Sequence, residues 1–389
     1  MTFPAAARDR ADACPGALQT HPAADGALAR VRVPGGVLTT AQLRVLTTAA
    51  GELGDGALEL TSRGNVQLRG LARGSEPELG ERLAAAGLLP SPTHETARNV
   101  LASVLSGRSG GLVDARPWVP AFDAGLCADP ALAQLPGRFL AAFDDGRGDV
   151  AGQGADVTVL ALAPDAVALL LAGADSGVRA RPEDAVDLAL AATRAFVAER
   201  AAQGGTAWRL AELAGGAERV AAALRGPRAE RVPAPSAPRT GPAGPVAQDD
   251  GRTALVAVVP LGRLTAGQAA VLADVGPSEL QLTPWRSVVV PDLADGSASD
   301  ALAAAGLVLE PGSPWLHVTS CAGLPGCAKS RADVRADAEA AVAAGTLPAG
   351  GARQHWAGCE RRCGRPAGGV VDVVATGSGY RVDRDPISR

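Results

Sequence analysis

The sequence predicts an α+β protein made of two pseudo-symmetric halves, each followed by an α/β lobe. Three observations predict it. A pattern near the N-terminus recurs in the second half of the chain. Each copy alternates between strand-like and helix-like periodicity. Four of the six cysteines crowd into the last 70 or so residues, marking a separate unit there.

The first copy runs through Val33-Pro34, Leu38-Thr39, Gln42, Leu58-Glu59-Leu60-Thr61 and Ala84 to Leu88. The second runs through Val259-Pro260, Leu264-Thr265, Gln268, Leu280-Gln281-Leu282-Thr283 and Ala303 to Leu307. Each reads as strand, helix, strand, strand, helix, the order of a ferredoxin-like half. In the first copy Ala29–Val33 alternates and meets a turn at Pro34-Gly35-Gly36. Thr39 or Thr40 can cap a helix reaching about Ala50. Ala57–Thr61 and Asn65–Leu68 read as strands, and Glu78–Ala86 as a helix stopped by Gly87.

Between the copies, Val157–Leu162 and Ala166–Leu171 suggest a hairpin. Pro182 opens a helix to about Ala202, and Ala207–Leu224 reads as another. After the second copy, Cys327–Ala344 is expected to be helical, followed by short strands at Val370–Val374 and Gly379–Val382. The units expected are a first half at 17–89, a lobe at 90–226 and a Pro/Ala/Gly-rich linker at 227–250. A second half at 251–312 and a cysteine lobe at 313–389 complete the chain.

Composition narrows the function classes. Of 389 residues, 47% are hydrophobic and 20% charged, which suits packed cores. The net charge of −4 argues against nucleic acid as a partner. No stretch reaches the roughly 18 apolar residues of a membrane helix, and Met1–Pro15 lacks a signal-peptide core, so a cytoplasmic location is expected. Lys329 is the only lysine, so arginine content reflects composition as much as function.

Cys321 and Cys327 are separated by five residues, Cys359 and Cys363 by three. Four thiolates match the ligand count of a [4Fe–4S] cluster. Zinc remains open on ligand type, although paired zinc cysteines are usually two to four residues apart. Gly323 and Gly326 leave room for a bulky group, and a helix starting at Cys327 would favour its negative charge. Cys14 and Cys127 stand apart and read as incidental thiols. His317 and His355 flank the cysteine pairs and are weak candidates for a non-heme iron.

Arg63, Asn65, Gln67 and Arg69 are expected to share one strand face. Such a face is either an anion-binding wall or a solvated sheet surface, and pattern alone leaves both open. Arg98-Asn99-Val100 follows the first copy where the second copy has its first cysteines. No dinucleotide fingerprint is present, since Gly377-x-Gly379 lacks a strand–turn–helix setting.

Taken together, the half-repeats, the Thr61-x-Arg63-x-Asn65-x-Gln67 strand, Arg98-Asn99-Val100 and the four cysteines resemble the nitrite and sulfite reductase family. The resemblance implies a [4Fe–4S] cluster on Cys321, Cys327, Cys359 and Cys363, with Cys363 bridging to siroheme in reductase members. Cys14-Pro15-Gly16, Leu126 to Pro130, Leu135 to Phe139, Asp144 to Asp149 and Leu282 to Arg286 resemble a branch acting on a tetrapyrrole in aerobic cobalamin biosynthesis. That branch implies precorrin-3A as substrate, O2 as co-substrate and monooxygenase chemistry. It also implies a non-heme iron beside the cluster, and electrons drawn from NADH through a separate reductase or ferredoxin. Arg63, Asn65, Gln67, Arg69, Arg98 and Arg138 are the substrate-binding residues it implies. A siroheme-dependent reductase is the alternative. Such reductases carry lysines near Leu135–Phe139, where this chain has only Arg138.

Overall fold

The computed structural model describes residues 14–236 and 238–384. The signal-peptide reading rests almost wholly on residues 1–13, which lie outside the described residues, as do the last five residues of the cysteine lobe.

The first half comprises β1 (His21–Ala23), β2 (Gly26–Val31), β3 (Val37–Thr39), α1 (Thr40–Leu53), β4 (Ala57–Leu60), β5 (Val66–Leu71) and α2 (Glu76–Ala85). Its lobe contains β6 (Val100–Ala102), α3 (Trp118–Ala128), β7 (Ala141–Asp144), β8 (Val157–Ala163), β9 (Ala166–Leu171), β10 (Ala174–Ala180), α4 (Ala185–Ala202) and α5 (Gly216–Ala223). The second half repeats the pattern as β11 (Gly244–Ala247), β12 (Thr253–Val258), β13 (Arg263–Thr265), α6 (Ala266–Val275), β14 (Glu279–Leu282), β15 (Ser287–Leu293) and α7 (Ser299–Ala304). The last lobe holds β16 (Val318–Ser320), α8 (Val334–Ala343), β17 (Gln354–Ala357), β18 (Val371–Ala375) and β19 (Tyr380–Asp383).

The two halves exchange strands. The first sheet runs β1-β2-β5-β4-β13 and the other runs β11-β12-β15-β14-β3. Thus β13 pairs antiparallel with β4, placing Arg263 opposite Glu59. In return β3 pairs with β14, placing Val37 opposite Gln281. One core results, with Leu38, Leu46, Leu58 and Leu68 of the first half buried together with Leu264, Leu272, Leu280 and Val288 of the second. Helices α1 and α6 pack on each other. Both begin with a capping box, Thr39 with Gln42 and Thr265 with Gln268, each satisfying two otherwise orphaned N–H groups.

The lobes are also related. The first has parallel β6, β7 and β8 followed by antiparallel β9 and β10. The last has parallel β16, β17 and β18 followed by antiparallel β19. Each carries its own apolar core.

Local expectations fail where distant groups claim the backbone. The helix expected from Cys327 begins only at Val334, capped by Asp333, whose carboxylate accepts from Ala336 N at 3.2 Å. Residues 327–333 turn instead, because Arg331 N donates to Gly358 O and Leu324 N to Ala332 O. No helix dipole therefore points out from Cys327. The Ala207–Leu224 helix is reduced to a 3-10 turn and the short α5, broken at Gly215, whose φ is 59°. Asp156 takes the Leu210 N–H at 2.8 Å there. Strand β5 starts at Val66, so Arg63 and Asn65 lie in the preceding turn. Among the described residues no helix is long and apolar enough to cross a membrane.

The turn before β3 generates a prediction. Gly36 has φ 73°, and a Cβ there would collide with the Leu282 carbonyl oxygen. Its counterpart Gly262 has φ 71° but would meet only the Arg286 side chain, which can move. Gly36→Ala should cost about 3 kcal/mol or more, and Gly262→Ala about 1–2 kcal/mol. Urea unfolding midpoints check this ordering.

Candidate functional site

The four clustered cysteines sit on loops that leave the C-terminal ends of parallel β16 and β17. Cys321 N donates to Trp356 O at 3.0 Å, which locks the two loops at their roots. The Cys321 Sγ accepts from Gly358 N at 3.2 Å. Burial pushes the Cys321 thiol up, and the charges of Cys363 and Cys327 push it further. Cys327 and Cys363 thus both act on the Cys321 thiol. Gly323, with φ 70°, sits where a Cβ would press on Val334 at 2.9 Å. Cys321, Cys327 and Cys359 are half-buried and Cys363 is exposed. Four thiols on two tied loops have the type and number of ligands of an iron–sulfur cluster, although among the described residues they are not gathered round one metal-ion position.

A second iron finds less support. His355 is fully buried, and both ring nitrogens are engaged, Nδ1 with Thr319 Oγ1 at 3.0 Å and Nε2 with Cys363 O at 3.1 Å. Its role is to hold the Cys359–Cys363 loop, which removes it as an iron ligand. His317 is half-buried, and among the described residues its Nδ1 has no partner. It lines a cavity of about 390 Å³ with Arg239, Arg353 and Arg384. Among the described residues no group of three or more His, Cys, Asp or Glu is placed to hold a single metal ion.

The structure separates the six residues expected to bind substrate. Arg69 is a clamp: its guanidinium grips Asp25 through two 3.0 Å bonds and donates to Gly326 O in the cysteine loop at 2.7 Å. Gln67 links Arg30, at 3.0 Å, to Glu59, at 3.2 Å. Glu59 also receives Arg335 from α8, so this face docks the cysteine lobe. Asn65 is buried, accepting from Val33 N at 2.9 Å and donating to Asn99 Oδ1 at 3.0 Å. Arg98 pairs with Asp123 through two 2.7 Å bonds and donates to Leu88 O at 3.1 Å. Apart from Glu59 and Leu88, the partners of these four side chains come from distant segments of the chain, so no local pattern could reveal them.

Arg63 and Arg138 stay available. Arg63 makes no ion pair and no side-chain hydrogen bond among the described residues. Burial, then repulsion from Arg209, lowers its pKa to about 10. Arg138 is exposed and lies over the Trp208 ring, 5.6 Å from its centroid. Sequence reasoning missed Arg32, only 2% exposed, whose pKa burial and Arg30 lower to about 9. Its Nε donates to Thr96 O at 3.2 Å, but both terminal nitrogens are buried with no acceptor among the described residues. Arg30, Arg32 and Arg63 lie within one another's field, and Cys14 lies in the field of both Arg32 and Arg63. The signal available in the sequence was Arg30-Val31-Arg32, two arginines on one strand face.

The pseudo-symmetric counterpart of the Arg30–Gln67 pair is apolar. Arg30 pairs with Gln67, and the equivalent pair in the second half is Val256 with Val289. Those valines pack against Val104 and Leu105. The loop equivalent to the first cysteine loop keeps its scaffold without sulfur. Ser103 N donates to Phe143 O at 3.0 Å, and Ser103 Oγ accepts from Asp145 N at 3.1 Å, as Cys321 does from Gly358. Ser103 Oγ then donates to Asp149 at 2.6 Å. A cavity of about 640 Å³ opens beside it, lined by Arg32, Ser103, Arg108 and Gln281.

Comparison with known proteins agrees with this architecture. Residues 21–86 match the family model described as the nitrite/sulfite reductase ferredoxin-like half domain. The chain is 28% identical over 386 residues to a precorrin-3B synthase of Sinorhizobium sp, spanning 95% of this chain and 82% of that protein. It is 35% identical over 127 residues to a ferredoxin–nitrite reductase of Synechococcus elongatus, but that match spans 31% of this chain and 25% of the reductase. The solved structure of the Mycobacterium tuberculosis NirA protein superposes with a TM-score of 0.71 at 22% identity, covering 92% of this chain and 74% of that one. The fold is thus that of the nitrite and sulfite reductases, and the likeness to precorrin-3B synthase extends along nearly the whole chain.

The sulfur-free loop gives a pH prediction. Burial pushes the Asp149 carboxyl up to about 6. Between about pH 4 and 6 the folded protein therefore holds a proton that the unfolded chain has released. Stability from this group rises as pH falls through that window, by at most about 1.4 kcal/mol per unit. Asp149→Asn should lose that slope, read as urea midpoints at pH 4.5 and 7. Parallel pH profiles in the two proteins would show that Asp149 does not titrate there.

Proposed function

We propose that this protein, alike in fold to NirA and along nearly its whole length to precorrin-3B synthase, hydroxylates precorrin-3A in an oxygen-dependent reaction with lactone formation. The observation that carries the reading is the near-full-length match to a precorrin-3B synthase, against nitrite reductase matches confined to about a third of this chain. The charge chemistry of the corner supports it. A tetrapyrrole with many carboxylates needs fixed cations that keep their charge, and guanidinium groups supply that. Reduction of nitrite or sulfite instead needs several proton deliveries, for which arginine is a poor donor. The lone lysine, Lys329, lies in the segment after Cys327, away from Arg138 in the sequence.

On this reading Arg32 and Arg63 hold carboxylates of the substrate, and Arg138 closes one side while stacked on Trp208. Arg69 and Glu59 keep the cysteine loop fixed against the face that bears these groups. A [4Fe–4S] cluster on Cys321, Cys327, Cys359 and Cys363 would supply single electrons when bound. One atom of O2 enters the substrate, and the other leaves as water after taking up two electrons and two protons. A separate reductase or ferredoxin brings the electrons, drawn ultimately from NADH. The oxygen-activating iron is not assigned to residues of this chain.

Anaerobic purification with iron and sulfide analysis tests the composition. The expected result is four sulfides and five irons per chain and no siroheme. Oxygen uptake should require precorrin-3A and reductant together. Stoichiometric siroheme in an acid–acetone extract, with nitrite or sulfite reduction, would install the reductase instead. Charge-assisted bonds to carboxylate contribute about 1.5–3 kcal/mol each. Arg63→Ala should therefore weaken tetrapyrrole binding about tenfold or more, measured by fluorescence quenching.

A further inference from the structure

The sheet of the cysteine lobe has two ends, and only one of them carries thiols. Strands β16 and β17 lead into the cysteine loops at their C-terminal ends. At the other end, His317 precedes β16, Arg353 precedes β17 and Val370 precedes β18. Gln354 N donates to His317 O and Val371 N to Arg353 O, both at 2.8 Å, which ties the three strand starts together. These strands are three to five residues long. At about 3.3 Å per residue the two ends lie roughly 10–16 Å apart.

A cavity of about 390 Å³ opens at this second end, a volume typical of small-molecule sites. Arg239, Arg353, Arg384, His317 and Thr240 line it, brought from four stretches of the chain. Among the described residues no carboxylate lines it. Elsewhere Arg69, Arg98, Arg108 and Arg179 each grip an acid, whereas the three arginines of the cavity form no ion pair among the described residues. Arg353 gives one N–H to Ala367 O at 3.5 Å, and Arg384 gives one to Pro348 O at 3.3 Å. A guanidinium has five such donors. Burial, then repulsion from Arg239 and Arg365, pushes the Arg353 pKa down, so like charges are held together here without compensation. The His317 Nδ1 is buried with no partner among the described residues, although buried polar atoms are nearly always bonded. The connector is pinned on both sides of Arg239. Pro238 O accepts from Trp285 Nε1 at 3.2 Å, and a Cβ on Gly241 would stand 2.6 Å from the Trp285 ring.

We propose that this cavity binds a small polyanion, a diphosphate or polycarboxylate with two or more negative charges. Arg239, Arg353 and Arg384 supply the countercharge, while Thr240 and His317, through Nδ1–H, supply hydrogen bonds. Guanidinium forks match both kinds of oxyanion. A multivalent anion turns the mutual repulsion of three cations into attraction, and a single charge leaves most of that repulsion in place. The cavity has the volume of about a dozen waters at about 30 Å³ each, enough for diphosphate or citrate. The site uses neither the thiols nor the arginines given to the tetrapyrrole, so it stands independently of the reaction proposed above. It also gives His317 a role other than iron ligation.

Isothermal titration calorimetry of the holoprotein with inorganic pyrophosphate, citrate and acetate tests this at low salt, where screening is weak. Pyrophosphate or citrate should bind one-to-one and at least about tenfold tighter than acetate. The tighter of the two identifies the ligand as phosphate or carboxylate. Arg239→Gln and Arg353→Gln should each weaken that binding about tenfold, and His317→Asn a few-fold. Arg181→Gln changes an exposed arginine outside the cavity and should leave the affinity as it is. The inference falls if neither polyanion gives saturable binding. It also falls if Arg239→Gln keeps the natural affinity, or if Arg181→Gln loses as much as Arg239→Gln does. The Arg239 side chain donates no hydrogen bond to the fold among the described residues, so Arg239→Gln decides the matter should Arg353→Gln fail to fold.

Discussion

A single buried carboxylate gathers three parts of the molecule. Glu59 is 8% exposed and receives Gln67 from its own sheet, Arg335 from the cysteine lobe and, at 3.8 Å, Arg69 and Arg263. A buried carboxylate is costly unless it is both paired and hydrogen-bonded. The need to neutralise Glu59 therefore fixes β13, β5 and α8 around one point. At the equivalent position in the second half, Gln281 does the same work without charge. Its amide donates to Gly35 O at 3.1 Å and accepts from Leu105 N at 3.2 Å, tying the first lobe down. Symmetric positions hold symmetric lobes, one by ions and one by amides.

Within that frame the two faces have diverged. The first sheet carries Arg30 and Gln67, bonded to each other, and Arg32, which is buried. The second presents Val256 and Val289, which bury against Val104 and Leu105. The same divergence separates Cys321 from Ser103. Each accepts the equivalent backbone N–H, Gly358 N for Cys321 and Asp145 N for Ser103, but the serine also donates to Asp149. A duplicated scaffold thus carries apolar valines on one sheet where the other carries arginine and glutamine, and a serine in one loop where the other carries cysteine.

Much of the fold was legible because its signals are local. The capping boxes, the Pro-Gly turn and the Leu-x-Leu-Thr strands are each written within a few residues. The pairing of thiols into one lobe was legible from spacing. What sequence could not show was which arginines are already committed. Arg69 and Arg98 look like Arg63 in the chain, yet Asp25, Gly326 and Asp123 claim the first two. The expected helix at Cys327 failed for the same reason, since Gly358 captures Arg331 N before a helix can start.

The exchange of β3 and β13 has a consequence for covalent continuity. Each half lends its neighbour a strand and shares one core with it, so neither sheet is complete alone. The connecting segment before β11, residues 227–243, is bound to the surface instead, with Val232 N on Asp175 and Pro238 O accepting from Trp285 Nε1. A break in that segment would cut the chain without dividing the molecule. The two fragments would behave as mutual chaperones, each supplying the edge on which the other completes its sheet.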